Sequence, residues 1–182
     1  AFTDLVEAQS YCCQSTNQNS YDSYAYGYSS TIAGGAYNYA GGSWSSIGGG
    51  VYNHVYYPYT SIRGGRYNFI YSYSGTISGG DYNTVGGSWA TVTGGSYNRA
   101  FAPHSNLAGG HSNWIYGYAA TIAGGQSNVL GNSYPFIGGG IYHQCYGSQS
   151  NIGSGYENVI YSSYSTIGGG QYNRLYAAYQ LI

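Results

Sequence analysis

From Tyr24 onward the apolar residues of this chain fall into two columns when the sequence is written in rows of fifteen. The ninth position of each row is Ile32, Ile47, Ile62, Ile77, Val92, Leu107, Ile122, Ile137, Ile152, Ile167 and Ile182. The second position runs from Ala25, Ala40, Val55 and Ile70 through Val85, Ala100, Ile115, Leu130, Cys145 and Ile160 to Leu175. The two columns are seven and eight residues apart around the row. That spacing predicts a coil of two short facing strands, each offering one large inward side chain between outward neighbours.

The polar positions carry the same period. A glycine stands at position 12 of every row from Gly35 to Gly170, preceded by another glycine except at Ser154. Asparagine fills position 15 from Asn38 to Asn173 except at His143. Glycine provides backbone angles with positive φ, and asparagine tolerates the left-handed region while bonding its own backbone, so both are expected in turns. In-register asparagine amides are also expected to bond along a stack. A short fixed period of this kind signals a solenoid whose repeats bury their apolar residues by stacking on one another. The predicted fold is all-β, a parallel β-solenoid or flattened β-roll of 15-residue coils. Ten full repeats and a partial eleventh occupy residues 24–182. At ~4.8 Å per coil, ten coils make a rod of roughly 50 Å.

Residues 1–23 do not show the period and read as an N-terminal arm or linker, in which Phe2, Leu5 and Val6 provide apolar side chains. A longer period of 45 residues is superposed on the rows. Gly41-Gly42-Ser43-Trp44, Gly86-Gly87-Ser88-Trp89 and Gly131-Asn132-Ser133-Tyr134 recur at positions 3 to 6 of every third row. Arg66 and Asp81 share position 13 of adjacent rows, which sets opposite charges one strand apart.

Composition narrows the function classes. The chain has 32 glycines and 27 tyrosines but only nine charged residues, with no lysine. A disordered chain of this glycine content would be poor in aromatics and rich in charge. No basic surface exists to neutralise phosphates, so nucleic acid is not an expected partner. No apolar run approaches the ~18 residues of a membrane span. A nearly uncharged, tyrosine-rich surface is weakly protected against self-association.

No catalytic constellation is evident. The acids are Asp4, Glu7, Asp22, Asp81 and Glu157, and the latter two fall about five coils apart, so no carboxylate pair flanks a common site. His54, His104, His111 and His143 occupy four different positions of the repeat, and neither a metal site nor a cofactor is expected. Cys145 lies in the inward column as a small hydrophobe. Cys12 and Cys13 lie in the arm, as thiols, a local disulfide or cross-links to neighbouring subunits. The tyrosines are the unusual chemistry. Tyr37, Tyr52, Tyr67, Tyr82 and Tyr97 repeat at position 14 of five successive rows, and Trp44 and Trp89 add to the aromatic surface. Such a ladder stabilises a roll and also suits packing against protein or sugar rings.

The units GTISGGDYNTVGGSWATVTGGSYN and YSTIGGGQYN resemble the Ser-x-Ile/Val-x-Gly-Gly repeats in the heads of trimeric autotransporter adhesins of the Yersinia-adhesin type. That resemblance implies a left-handed parallel β-roll, cell-surface display and adhesion. A fainter similarity links Asn83-Thr84-Val85-Gly86-Gly87 to the plant ice-binding β-rolls. Ice binding calls for a regular hydroxyl array, and position 8 begins with Thr31, Ser46, Ser61, Thr76 and Thr91 but is broken at Asn106, Phe136 and Asn151.

The leading expectation is a non-enzymatic structural subunit that adds head to tail into an extracellular filament, its partners being copies of itself. The last row stops at position 9, and Leu175, Leu181 and Ile182 there, with Phe2, Leu5, Val6, Cys12 and Cys13 of the arm, are the expected assembly residues. The alternative is an adhesin or glycan-binding head, as a trimer, located outside the cell or at its surface. Ice binding is the third reading.

Overall fold

A computed structural model describes residues 15–17 and 20–182. Within them the chain winds as a parallel β-solenoid with a constant step of fifteen residues. One sheet of eleven two-residue strands runs from Tyr24–Ala25 to Arg174–Leu175, and a second of eleven runs from Thr16–Asn17 to Thr166–Ile167. Phe69 pairs with His54 on one side and Thr84 on the other, and Thr76 likewise with Ser61 and Thr91. Every described strand pairing is parallel and in the register that the sequence period predicts.

A third line of pairing closes the coil. Ser20–Tyr21 pairs with Gly35–Ala36, and single-residue bridges then continue along position 13 from Ala36 through Val51, Arg66 and Asp81 to Tyr156 and Gln171. The two-column pattern did not expose it, because position 13 points outward and its side chains differ from coil to coil.

The core is thin and continuous. Position 2 from Ala25 to Ile160 and position 9 from Ile32 to Ile167 are buried throughout. Each coil therefore contributes one apolar residue from each sheet, and neighbouring coils cover it above and below. This is why the period is strict: removing a residue from a row turns its inward side chain outward. Small residues close one end of the core at position 7, where Ser45 Oγ donates to the Gly42 carbonyl at 2.6 Å and Ser105 Oγ to the Ala102 carbonyl at 2.7 Å.

The buried asparagines close the other end. The Asn68 backbone N–H donates to Asn53 Oδ1 at 3.2 Å, and the Asn68 Nδ2 amide donates to the carbonyls of Gly64 at 3.2 Å and Gly80 at 2.7 Å. The pattern repeats from Asn38 to Asn158, with His143 substituting once. The column thus works mainly by bonding side chain to backbone. Direct amide-to-amide bonds form at Asn68–Asn53 and Asn173–Asn158, at 3.0 and 3.1 Å.

The left-handed residue of this turn is not the asparagine, as the sequence suggests, but the residue before it. Tyr37, Tyr52, Tyr67, Tyr82 and Tyr97 all have φ between 53° and 58°. Position 6 is left-handed as well, with Trp44 at 52° and Trp89 at 56°. Glycine is required at position 12, where Gly65 has φ +91° and an added Cβ would stand 2.1 Å from the Gly80 carbonyl oxygen.

The stack begins ahead of residue 24. Thr16–Asn17 pairs with Thr31–Ile32, and Ser23 Oγ accepts the Asn38 backbone N–H at 3.0 Å, as an asparagine does in later coils. Part of the segment read as an arm therefore continues the roll with Asn17, Ser20 and Ser23 in place of the usual isoleucine, glycine and asparagine.

The 45-residue period also has a steric basis. A Cβ on Gly86 would stand 2.7 Å from Phe101 Cδ1, and one on Gly131 would stand 2.9 Å from Tyr146 Cδ1. At Gly86 and Gly131 glycine makes room for the aromatic ring of the following coil, whereas at Gly41 it makes room for Tyr39 of its own coil, whose Cε1 would stand 2.5 Å from an added Cβ.

Candidate functional site

The surface chemistry of the roll is concentrated in its aromatic columns. Because position 14 is left-handed in every coil, its side chains leave the corner in the same direction and meet those above and below. Tyr37, Tyr52, Tyr67, Tyr82 and Tyr97 stack with ring centroids 4.6, 5.0, 4.7 and 4.9 Å apart and planes within 8° of parallel. Tyr21 and His111 close the two ends edge-on, at 5.5 and 5.6 Å. Such contacts are worth about 0.5–1.5 kcal/mol each beyond area burial, which offsets the cost of a left-handed backbone at a bulky residue.

The stacking limits what the ladder can bind. Each inner ring has both faces covered by its neighbours, so the column presents ring edges and hydroxyls rather than open faces. A sugar ring laid on an aromatic needs a free face, and the five-tyrosine column does not offer one along its length. Next to the column, Arg66 Nη2 reaches Asp81 Oδ2 at 2.9 Å and Arg66 Nε reaches Asp81 Oδ1 at 3.2 Å. The two hydrogen bonds hold the Asp81 carboxyl below the usual range and the guanidinium above its own.

Trp44 and Trp89 are the most open of the expected aromatic residues, 53% and 60% exposed. Trp44 stacks on Tyr59 at 5.3 Å and Trp89 on His104 at 5.1 Å, both nearly parallel. A further run on the first sheet combines the tyrosines of position 3, a column the fifteen-residue period also exposes, with the aromatic residues of position 1. It joins Tyr39 to Tyr56 at 5.4 Å, Tyr56 to Tyr71 at 5.1 Å and His54 to Phe69 at 5.3 Å. Its signal was available in the mixture of Tyr, His and Phe at positions 1 and 3.

Of the expected assembly residues, Phe2, Leu5, Val6, Cys12 and Cys13 lie outside the described residues. Leu175 belongs to the core column at 3% exposure, whereas Leu181 and Ile182 are 79% and 53% exposed. Leu181 pairs with Thr166 through a single bridge.

The hydroxyl column at position 8 lies on the outer side of the second sheet. Ser46 Oγ donates to Ser61 Oγ at 3.1 Å, but Asn106, Phe136 and Asn151 interrupt the row. Cys145 is buried in the core, and that burial pushes its thiol up to about 12. Burial also lowers His54 and His143 from the ordinary imidazole range. Among the described residues no three of His, Cys, Asp and Glu gather in a group that would hold a metal ion, and no helix is long and apolar enough to cross a membrane. No protein-family model matches this sequence, and no curated protein matches it either.

Proposed function

We propose that this chain is a structural rod of an extracellular filament, its partners being further copies of itself. The observation that carries the reading is the uniformity of the coil-on-coil contact. The same fifteen-residue step joins every described coil to the next in both sheets. The apolar columns, the asparagine column and the tyrosine stack all bond along the rod axis, so the surface that receives one coil is suited to receive another. Filament growth would continue the same pairing between molecules. The near absence of charge supports it, since little repulsion opposes close approach of two rods. The extracellular placement rests on the repeat resemblance, and the reading includes no catalytic step.

Negative-stain electron microscopy of the purified full chain, across a concentration series, tests the proposal. Fibres many times longer than a single rod of roughly 50 Å are the expected result. Rods of one uniform short length at every concentration would overturn it.

A further inference from the structure

On the outer side of the first sheet, positions 14 and 1 of the C-terminal coils form a short groove, a cavity of about 370 Å³ lined by Tyr142, Gln144, Glu157, Val159, Tyr161 and Arg174. That volume lies in the lower range of small-molecule sites, about 300–1,000 Å³. Val159 is 7% exposed and supplies an apolar floor.

The walls are polar and carry both kinds of hydrogen-bonding group. Glu157 brings a carboxylate, Arg174 a guanidinium, Gln144 a side-chain amide, and Tyr142 and Tyr161 phenol hydroxyls. Glu157 and Arg174 line one cavity without pairing with each other, since the one ion pair among the described residues is Arg66–Asp81. The charge of Glu157 raises the Tyr156 phenol above its ordinary value, and Gln144 Oε1 accepts a long hydrogen bond of 3.4 Å from the Tyr146 hydroxyl. Donors on Arg174 and Gln144 and lone pairs on Glu157 stay available.

We infer that this groove binds a neutral saccharide. A pyranose ring has a C–H face that suits the Val159 floor, and each of its hydroxyls donates and accepts, which suits a rim of one carboxylate, one guanidinium and one amide. The opposed charges leave the site with no net charge, so a neutral ligand can bond to both, while an anion faces Glu157 and a cation faces Arg174. Tyr161 is stacked on Tyr176 at 5.1 Å and Tyr142 meets Tyr156 edge-on at 5.9 Å, and we take recognition to run through their hydroxyls. The same two positions eight coils earlier form a smaller groove of about 220 Å³ walled by Tyr24, Tyr37, Tyr39 and Tyr52 with Asp22. A linear glycan along the axis would pass over both. The inference stands apart from the filament reading: a rod that does not polymerise would still carry the groove, and a filament without saccharide affinity would leave the assembly proposal in place.

The test is an array of immobilised neutral oligosaccharides probed with the full chain, followed by calorimetric titration of the best binder as a free oligosaccharide. Titrations are repeated with Glu157→Gln, Arg174→Gln and, as a control on the other sheet, Arg63→Gln, each checked for an unchanged circular dichroism spectrum and melting temperature. The expected result is saturable binding that falls tenfold or more in the first two variants and is unchanged in the control. The inference is overturned by no binding to any neutral saccharide at millimolar concentration, by binding indifferent to Glu157 and Arg174, or by preference for a free amino acid or an inorganic anion.

Discussion

His143 Nδ1 lies 3.1 Å from the backbone nitrogen of Asn158 and accepts its hydrogen. The ring thereby fills the acceptor role that an asparagine oxygen fills in the other coils, but less completely, because Nε2 is buried and makes no well-formed hydrogen bond. Protonation would place a second donor against the Asn158 N–H. Burial lowers the His143 pKa below its ordinary value of 6.5. Its contribution is therefore full above pH 6.5 and is lost as pH falls from there toward the folded value, where the unfolded state binds more protons. His143→Asn restores both carbonyl contacts and is expected to stabilise the protein by about 1 kcal/mol at neutral pH. The advantage should widen toward pH 5. Thermal melts at pH 5 and pH 8 check it, and because His54 also titrates low, the difference between the two proteins is the quantity to read.

Asn68 holds three backbone groups at once, the carbonyls of Gly64 and Gly80 and the N–H of Asn83. Asn68→Ala leaves the Gly64 carbonyl and the Asn83 N–H without this partner, while the Gly80 carbonyl keeps the Arg66 N–H. A loss of about 3 kcal/mol is expected, measured by urea denaturation. A cost below half a kcal/mol would mean that the column is dispensable.

Tyr67 stacks on Tyr52 at 5.0 Å and on Tyr82 at 4.7 Å, with φ at 53°. Asparagine tolerates that backbone better than tyrosine does, so Tyr67→Asn improves the local conformation while deleting two ring contacts. If the stacks dominate, the variant melts lower by an amount equivalent to about 1 kcal/mol. A higher melting temperature would show that the ladder does not stabilise the roll.

Gly65→Ala places a Cβ 2.1 Å from the Gly80 oxygen on a left-handed backbone. The two coils cannot then close to strand distance, and loss of the folded state or a shift in melting far larger than for an exposed glycine is expected. Gly64→Ala, where nothing lies within 4 Å of the added atom, is the matched control.

Cys145 should resist an aromatic disulfide reagent in the native protein, since its thiol is buried and titrates at about 12. Mass spectrometry after exposure with and without denaturant reads the site directly. Labelling of Cys145 under native conditions would contradict its place in the core.

The period was legible because stacking forces one residue type into the same place in every coil. Position 9 from Ile32 to Ile167 stays a branched aliphatic residue and position 12 stays glycine, and together they announced the solenoid. The start of the stack was hidden for the converse reason. Ser23 donates no carboxamide but offers an oxygen where one is needed, and Thr16–Asn17 needs only backbone to pair. The left-handed tyrosines were misassigned to the asparagines beside them because an exposed aromatic gives no sequence sign of positive φ. The groove at Glu157 and Arg174 was invisible for another reason: its residues come from four coils and from positions 14, 1 and 3 of the repeat, and no single column brings them together.

The backbone hydrogen bonds of both sheets connect one coil to the next and so lie along the rod. A pull on the two ends of such a rod loads those bonds lengthwise and a few at a time, rather than shearing many at once. Each coil that peels away releases fifteen residues, about 50 Å of extended chain, while the remainder stays wound. The rod would yield in even steps, as an extensible tether rather than a brittle strut.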